Sequence, residues 1–209
     1  ILAGAETVIC PEGVAALLGA EGDGLARAAA AAEPTISVLV PRQLALWVAA
    51  LRDGRVRAPA SLRYLAVGGA PVSPALLDEA RALGLPVAEG YGLSEACSVV
   101  ALTPPDRGDG GDHSGMQVID GISVRLDQGE IVVSGPTVMQ GYLNRPALDG
   151  DWHTGDIGRM EQGRLVVIGR RDGMIVRQSG RNIAPEWVEA AALADPAVPA
   201  AALVLCEGD

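Results

Sequence analysis

Three short apolar runs separated by two helical patterns most constrain how this chain can fold. "TISVLV" (Thr35–Val40), "LRYLAV" (Leu62–Val67) and "LPVAEG" (Leu85–Gly90) are too short for buried helices and read as strands, the first two buried. Between the first and second, Pro41 opens "RQLALWVAALRDG", which Gly54 closes. Between the second and third, "GGAP" forms a turn. Ser73 and Pro74 then supply an N-cap and a first helical residue, and Gly84 ends that helix after Leu83. Strand, helix, strand, helix, strand predicts an α/β fold built on a parallel sheet with crossover helices.

The texture changes at "TPPDRGDGGDHSG" (Thr103–Gly115), a loop by composition. "ISVRL", "EIVVSG" and "RLVVIG" follow, β-branched and separated by turn residues, and predict a small antiparallel β region. Near Arg171-Asp172-Gly173 it changes again. "IAPEWVE" places Pro185 at a helix start, and "AALVLC" predicts a further strand. The chain shows no internal repeat, and "ARAAAAAE" is its only low-complexity tract.

Composition excludes several classes of function. The 209 residues suffice for a sizeable core, and the net charge of −10 argues against a nucleic-acid or anionic-membrane surface. No apolar run reaches the roughly 18 residues of a membrane helix, so no transmembrane segment is expected. Cys10, Cys97 and Cys206 are too far apart for a metal-ligand pattern and read as small buried thiols of a reducing, cytoplasmic compartment. His113 and His153 are the only histidines, too few for a histidine-rich metal site. All basic side chains are arginine; there is no lysine. "ILAGAETVIC" carries no initiator Met and no cleavage pattern, and reads like the middle of a longer chain.

Chemistry concentrates in four places. "EGYGLSEA" (Glu89–Ala96) follows the third strand, where open α/β sheets bind ligands. Gly90 and Gly92 allow close backbone approach, and the Tyr91 ring can stack on a planar base. Ser94 can bond a phosphate oxygen, and Glu95 can hold a magnesium ion (Mg2+) that bridges phosphates. The plainer alternative makes Ser94 an N-cap and Glu95 a partner of the helix dipole. "VGGAP" (Val67–Pro71) could present backbone amides to the same ligand. In "DWHTGDIGRM", Asp156 after a Thr-Gly turn suits a pair of ribose hydroxyls, or is simply a turn aspartate. Arg170 could reach ribose or phosphate, or form a surface ion pair.

In their order and rough spacing these pieces resemble the acyl-adenylate-forming superfamily of acyl-CoA synthetases, peptide-synthetase adenylation domains and beetle luciferases. "EGYGLSEA" resembles its GYGxTE motif, with Ser94 for the usual Thr. "LRYLAVGGAPVSPALL", "GEIVVSGPTVMQGYLNRP", "WHTGDIGRM" and "GRLVVIGRRDGMIV" resemble its other segments. "SGRNIAPEWVE" is similar to bacterial long-chain fatty-acid–CoA ligases, which implies a fatty acid as substrate. The small apolar "ACSVVAL" either suits an aliphatic tail or is core.

The resemblance implies roles by residue. Gly69, Ala70 and Pro71 would lie against adenine and the acyl pocket, and Glu89, Gly90, Tyr91 and Gly92 would form the adenine slot. Ser94 and Glu95 would be catalytic, Ser94 on phosphate and Glu95 on Mg2+. Asp156, helped by Arg170, would take the ribose hydroxyls, and Asp172 would be a hinge. It implies residues 1–110 as the α/β part of a large adenylation domain and 111–170 as its β-rich subdomain. Residues 171–209 would be the hinge and the incomplete start of a mobile, small α+β C-terminal domain. It further implies ATP, Mg2+ and coenzyme A, with a carrier protein as the alternative acyl acceptor. The family's phosphate loop and C-terminal lysine have no counterpart here. The chain is therefore expected to be an excerpt, inactive alone, or a non-catalytic nucleotide-binding relative.

Overall fold

The computed structural model describes residues 4, 6–9, 11, 23–104, 115–176, 182–193, 195, 197–198 and 201–204. Its first half is the α/β unit that the apolar runs predict. Helix α1 (Asp23–Ala32) precedes β1 (Ile36–Leu39), α2 (Pro41–Arg52), β2 (Tyr64–Val67), α3 (Pro74–Ala82) and β3 (Val87–Tyr91). β1 pairs with β2 and β2 with β3, both parallel. Pro41 and Pro74 each stand at a helix start, where the missing N–H costs nothing. The Gln43 side chain accepts the Val40 N–H at 3.0 Å. Ser73 has the backbone of an N-cap, but its side chain makes no capping bond.

α2 is buried without interruption from Leu44 to Leu51, because α1, α3 and the sheet surround it. Trp47, Leu44 and Leu65 lie at the centre of this core. Each such side chain contributes about 1.5–3 kcal/mol of burial free energy. β1 departs from expectation. Ile36 and Val38 are 61% and 75% exposed, and only Leu39 is buried. A continuous apolar run implies two covered faces, but the helices reach only one face of this edge strand.

The sheet continues beyond its parallel part. A single 3-10 turn (Ser94–Ala96) leads to β4 (Ala101–Leu102), antiparallel to β3, and β5 (Gln117–Val118) pairs antiparallel with β4. The sheet is therefore mixed, in the order β1-β2-β3-β4-β5. Two-residue strands carry no readable period. Reciprocal bonds between Met116 and Leu165, both 2.7 Å, join this sheet to the second one.

The second sheet is antiparallel, in the order β6 (Ser123–Asp127), β7 (Glu130–Ser134), β8 (Trp152–Glu161), β9 (Arg164–Arg170). Its two tight hairpins use Gln128-Gly129 and Gln162-Gly163, all four residues at positive φ, as two-residue turns between twisted strands require. β8 corrects the sequence reading: Thr154, Gly155 and Asp156 form an irregularity inside a long strand rather than a turn. Val100, Met116, Ile131 and Leu165 make the core beneath.

β10 (Ile175–Val176) pairs with β11 (Asn182–Ile183), and α4 (Pro185–Leu193) follows with Pro185 at its start, as predicted. "AALVLC" is not the expected strand in its described part: residues 201–204 have no regular structure. Leu203 N–H bonds the Glu189 carboxylate at 2.9 Å instead of a neighbouring strand. Leu205 and Cys206 lie outside the described residues, as do Cys10, His113 and most of the 103–115 loop.

Candidate functional site

Nine residues singled out in the sequence line one cleft of about 360 Å³: Gly69, Ala70, Pro71, Glu89, Gly90, Tyr91, Gly92, Asp156 and Arg170. The turn after β2 and the end of β3 form one wall. β8 and β9 form the opposite wall. Gly92 is required by close approach, since a Cβ there would fall 1.4 Å from the Ser98 carbonyl oxygen. This contact folds the 92–98 segment back beside the cleft.

Tyr91 and Asp156 meet across the cleft, the phenol donating to Oδ2 at 2.6 Å. Burial first, then the Asp156 carboxylate, pushes the Tyr91 phenol well above its ordinary range, so it remains a donor. The other carboxylate oxygen, Oδ1, accepts from Arg170 Nη1 at 3.3 Å, and the same nitrogen donates to the Thr154 carbonyl at 3.1 Å. Arg170 Nε donates to Asp172 Oδ1 at 3.1 Å. That pairing raises the Arg170 guanidinium and holds the exposed Asp172 carboxyl low. Arg170 is thus both a cleft residue and an ion pair. Burial raises the Glu89 carboxyl, and Arg81 opposes this.

Ser94, Glu95 and Asp172 do not line the cleft. Ser94 is not an N-cap: it opens the 3-10 turn, and Leu93 holds the cap position. A 3-10 turn of three residues offers no macrodipole for Glu95 to oppose. Glu95 is instead held by the 139–142 segment. Its carbonyl accepts Met139 N–H at 2.8 Å, and its carboxylate accepts the Tyr142 hydroxyl. Among the described residues no group of three or more His, Cys, Asp or Glu side chains is placed to hold a metal. The Glu95 carboxylate is a hard oxygen ligand of the type Mg2+ takes, suited to an ion completed by phosphate oxygens and water.

Several residues of the site carry no signal of their own in sequence. Glu186 and Trp187, at the start of α4, line the cleft, and Trp187 Nε1 donates to the Ile168 carbonyl at 2.6 Å. Glu130 accepts from Gly155 N–H beside Asp156. The "ACSVVAL" alternatives resolve toward core, since Ala96, Val100 and Ala101 are fully buried. Cys97 is exposed and not the buried thiol expected; its backbone sits at φ 54, where the 92–98 segment turns back.

The chain matches the family description "AMP-binding enzyme" over residues 1–143. The 2-succinylbenzoate–CoA ligase of Bacillus licheniformis is 38% identical over 159 residues, covering 68% of this chain and 33% of that one. The O-succinylbenzoate coenzyme A synthetase of Bacillus subtilis, in complex with ATP and magnesium ion, superposes with a TM-score of 0.70 at 30% identity. That match covers 87% of this chain and 41% of that one. The same enzyme in complex with the acyl-adenylate intermediate OSB-AMP gives 0.71 at 29% identity, over 90% and 41%. The chain spans about a third of the length of the curated relatives it matches.

These relatives overturn the expectation of a fatty-acid–CoA ligase. The stretch that suggested it, "SGRNIAPEWVE", has another task where it is described. Trp187 ties α4 to β9 and Glu189 holds Leu203, so these side chains serve docking.

Proposed function

The chain belongs to the AMP-binding enzyme family, and from that premise we propose that the protein carrying it is an AMP-forming acid–thiol ligase. Its substrate is an aromatic keto-acid of the 2-succinylbenzoate type. A substrate carboxylate oxygen attacks the α-phosphorus of ATP, giving acyl-AMP and pyrophosphate. The thiol of coenzyme A then attacks the acyl carbon and displaces AMP. The observation that carries the reading is the Tyr91–Asp156–Arg170 constellation, in a cleft of a chain similar to 2-succinylbenzoate–CoA ligases.

Within this reading Tyr91 flanks the adenine, and the turn 69–71 closes the slot. Asp156 accepts the ribose hydroxyls. Each of its oxygens has one lone pair engaged, by Tyr91 or Arg170, and one available. Arg170 offsets the charge of Asp156 through their 3.3 Å contact. Ser94 contacts phosphate. Glu95 would hold Mg2+, which when bound neutralises phosphate charge. Asp172 is the hinge, near the start of the C-terminal part, residues 171–209. The first 110 residues and residues 111–170 form the large domain.

The test is pyrophosphate exchange with ATP in the protein carrying this chain, with 2-succinylbenzoate and with palmitate. Exchange with the former alone supports the reading. Exchange with palmitate alone overturns the choice of acid. ATP binding without exchange by either acid replaces the ligase with a nucleotide-binding module. Coenzyme A and a carrier protein are compared as acceptors of the acyl group, and coenzyme A is expected to serve.

A further inference from the structure

Glu130, the first residue of β7, is only 7% exposed and lies outside the cleft. Both of its carboxylate oxygens are engaged. Oε1 accepts Gly155 N–H at 2.8 Å, while Oε2 lies 3.1 Å from His153 Nδ1 and 3.2 Å from Arg171 Nη1. The Gly155 carbonyl in turn accepts Arg171 N–H at 2.7 Å. Gly155 is thus fastened on its N–H side by Glu130 and on its carbonyl side by the residue Glu130 binds.

The register explains why such a clamp is needed. Glu130 pairs with Ile157 and Val132 with His153, so Thr154, Gly155 and Asp156 all stand opposite Ile131. A bulge of this kind re-aims a side chain but removes backbone groups from the ladder. The Thr154 hydroxyl takes the Asp156 N–H at 3.0 Å and donates to the Ile131 carbonyl at 2.8 Å. Glu130 takes the Gly155 N–H. The direction in which Asp156 leaves the strand is therefore set by Thr154 and Glu130 together.

We propose that Glu130 is a positioning residue for Asp156: through Gly155 and Arg171 it holds the bulge that aims that carboxylate into the cleft, and so sets discrimination for the ribose hydroxyls. This rests on the reading of Asp156 as the ribose acceptor. The measurement is the affinity ratio of ATP to 2′,3′-dideoxy-ATP in the protein carrying this chain. Asp156→Ala, the control for the underlying reading, should abolish the preference for ATP. Glu130→Ala should cut it about tenfold, and Glu130→Gln, whose amide oxygen still accepts Gly155 N–H, should restore most of it. Arg171→Ala alters a half-exposed side chain, so folding is not at risk, and should cut the ratio about threefold.

Equal weakening of both nucleotides in Glu130→Ala would mean a structural role only and overturn the proposal. An unchanged ratio in Arg171→Ala would overturn it even where Glu130→Ala fails to fold. If Asp156→Ala keeps the preference, the ribose reading falls and the proposal with it. If Asp156→Ala abolishes it while the Glu130 and Arg171 variants do not, only the proposal falls.

Discussion

Tyr91 and Asp156 are 65 residues apart in sequence, yet the hydroxyl of one lies 2.6 Å from the carboxylate of the other. The contact joins the end of the α/β sheet to β8 of the antiparallel sheet. It makes the cleft a joint product of both halves of the chain.

Tyr91→Phe keeps the ring and removes this bond. At neutral pH it should cost about 1–2 kcal/mol of stability, as expected for a partly buried hydrogen bond to a carboxylate. The pH dependence follows from the raised phenol. The folded state holds the proton more tightly than the unfolded chain, so the stabilisation is complete below the ordinary tyrosine range, near pH 10. It is lost as pH rises through the folded value. Urea midpoints of wild type and Tyr91→Phe should therefore converge above about pH 10. A constant gap from pH 8 to 11 would contradict the assignment.

The Glu130 carboxyl has the opposite sign. The His153 bond first, then Gly155 N–H and Arg171, hold it below its usual range. Its stabilisation is present above the unfolded carboxyl value, about 4.3, and is lost as pH falls through the folded one. Acid unfolding of Glu130→Gln should lack that part of the slope. Superimposable wild-type and variant stability profiles between pH 5 and 2 would show that the carboxylate is not stabilised in the fold.

How much of this was legible in sequence depended on the length of the signal. The β1–α2–β2–α3–β3 unit could be read because Pro41, Pro74, Gly54 and Gly84 punctuate runs long enough to show a period. β4 and β5 could not, at two residues each. β8 was missed because Thr154-Gly155-Asp156 has turn composition, and its place opposite Ile131 depends on long-range pairing. The run through Ile36 and Val38 implied burial that an edge strand with one covered face does not supply. Residue chemistry singled out Tyr91, Asp156 and Arg170 but left a turn aspartate and an ion pair open, and motif resemblance chose between the alternatives. Glu130 was quoted within a motif, but nothing local links it to Gly155, 25 positions away.

Tyr142 gives a third prediction. Its hydroxyl donates to the Glu95 carboxylate, and its ring meets Trp152 edge to face, with centroids 6.0 Å apart. Glu95 is thereby held at its backbone by Met139 and at its side chain by Tyr142. Tyr142→Phe keeps the ring contact and releases the carboxylate. The magnesium concentration for half-maximal ATP binding should rise about threefold in this variant, and at least tenfold in Glu95→Gln. An unchanged magnesium requirement in Glu95→Gln would remove Glu95 from the metal site.

The last prediction concerns α4, which closes one side of the cleft through Glu186 and Trp187. Two local features make that approach close. Trp187 Nε1 donates to the Ile168 carbonyl at 2.6 Å, and a Cβ on Gly169 would fall 2.7 Å from the Ala184 Cβ. Arg171 is bonded through its N–H to Gly155 and through its side chain to Glu130. Beyond it the Asp172 side chain is mostly exposed. A pivot there needs only a few residues to absorb the backbone change. Trp187→Phe keeps most of the apolar contact and removes the donor, so it weakens the hold of α4 on β9 with little change to either unit. If the docked arrangement serves one half-reaction, acyl-AMP formation and thioester formation, assayed separately, should change by factors that differ at least threefold. Equal factors would make α4 docking incidental to the catalytic cycle, and Asp172 would then have no claim to be its hinge.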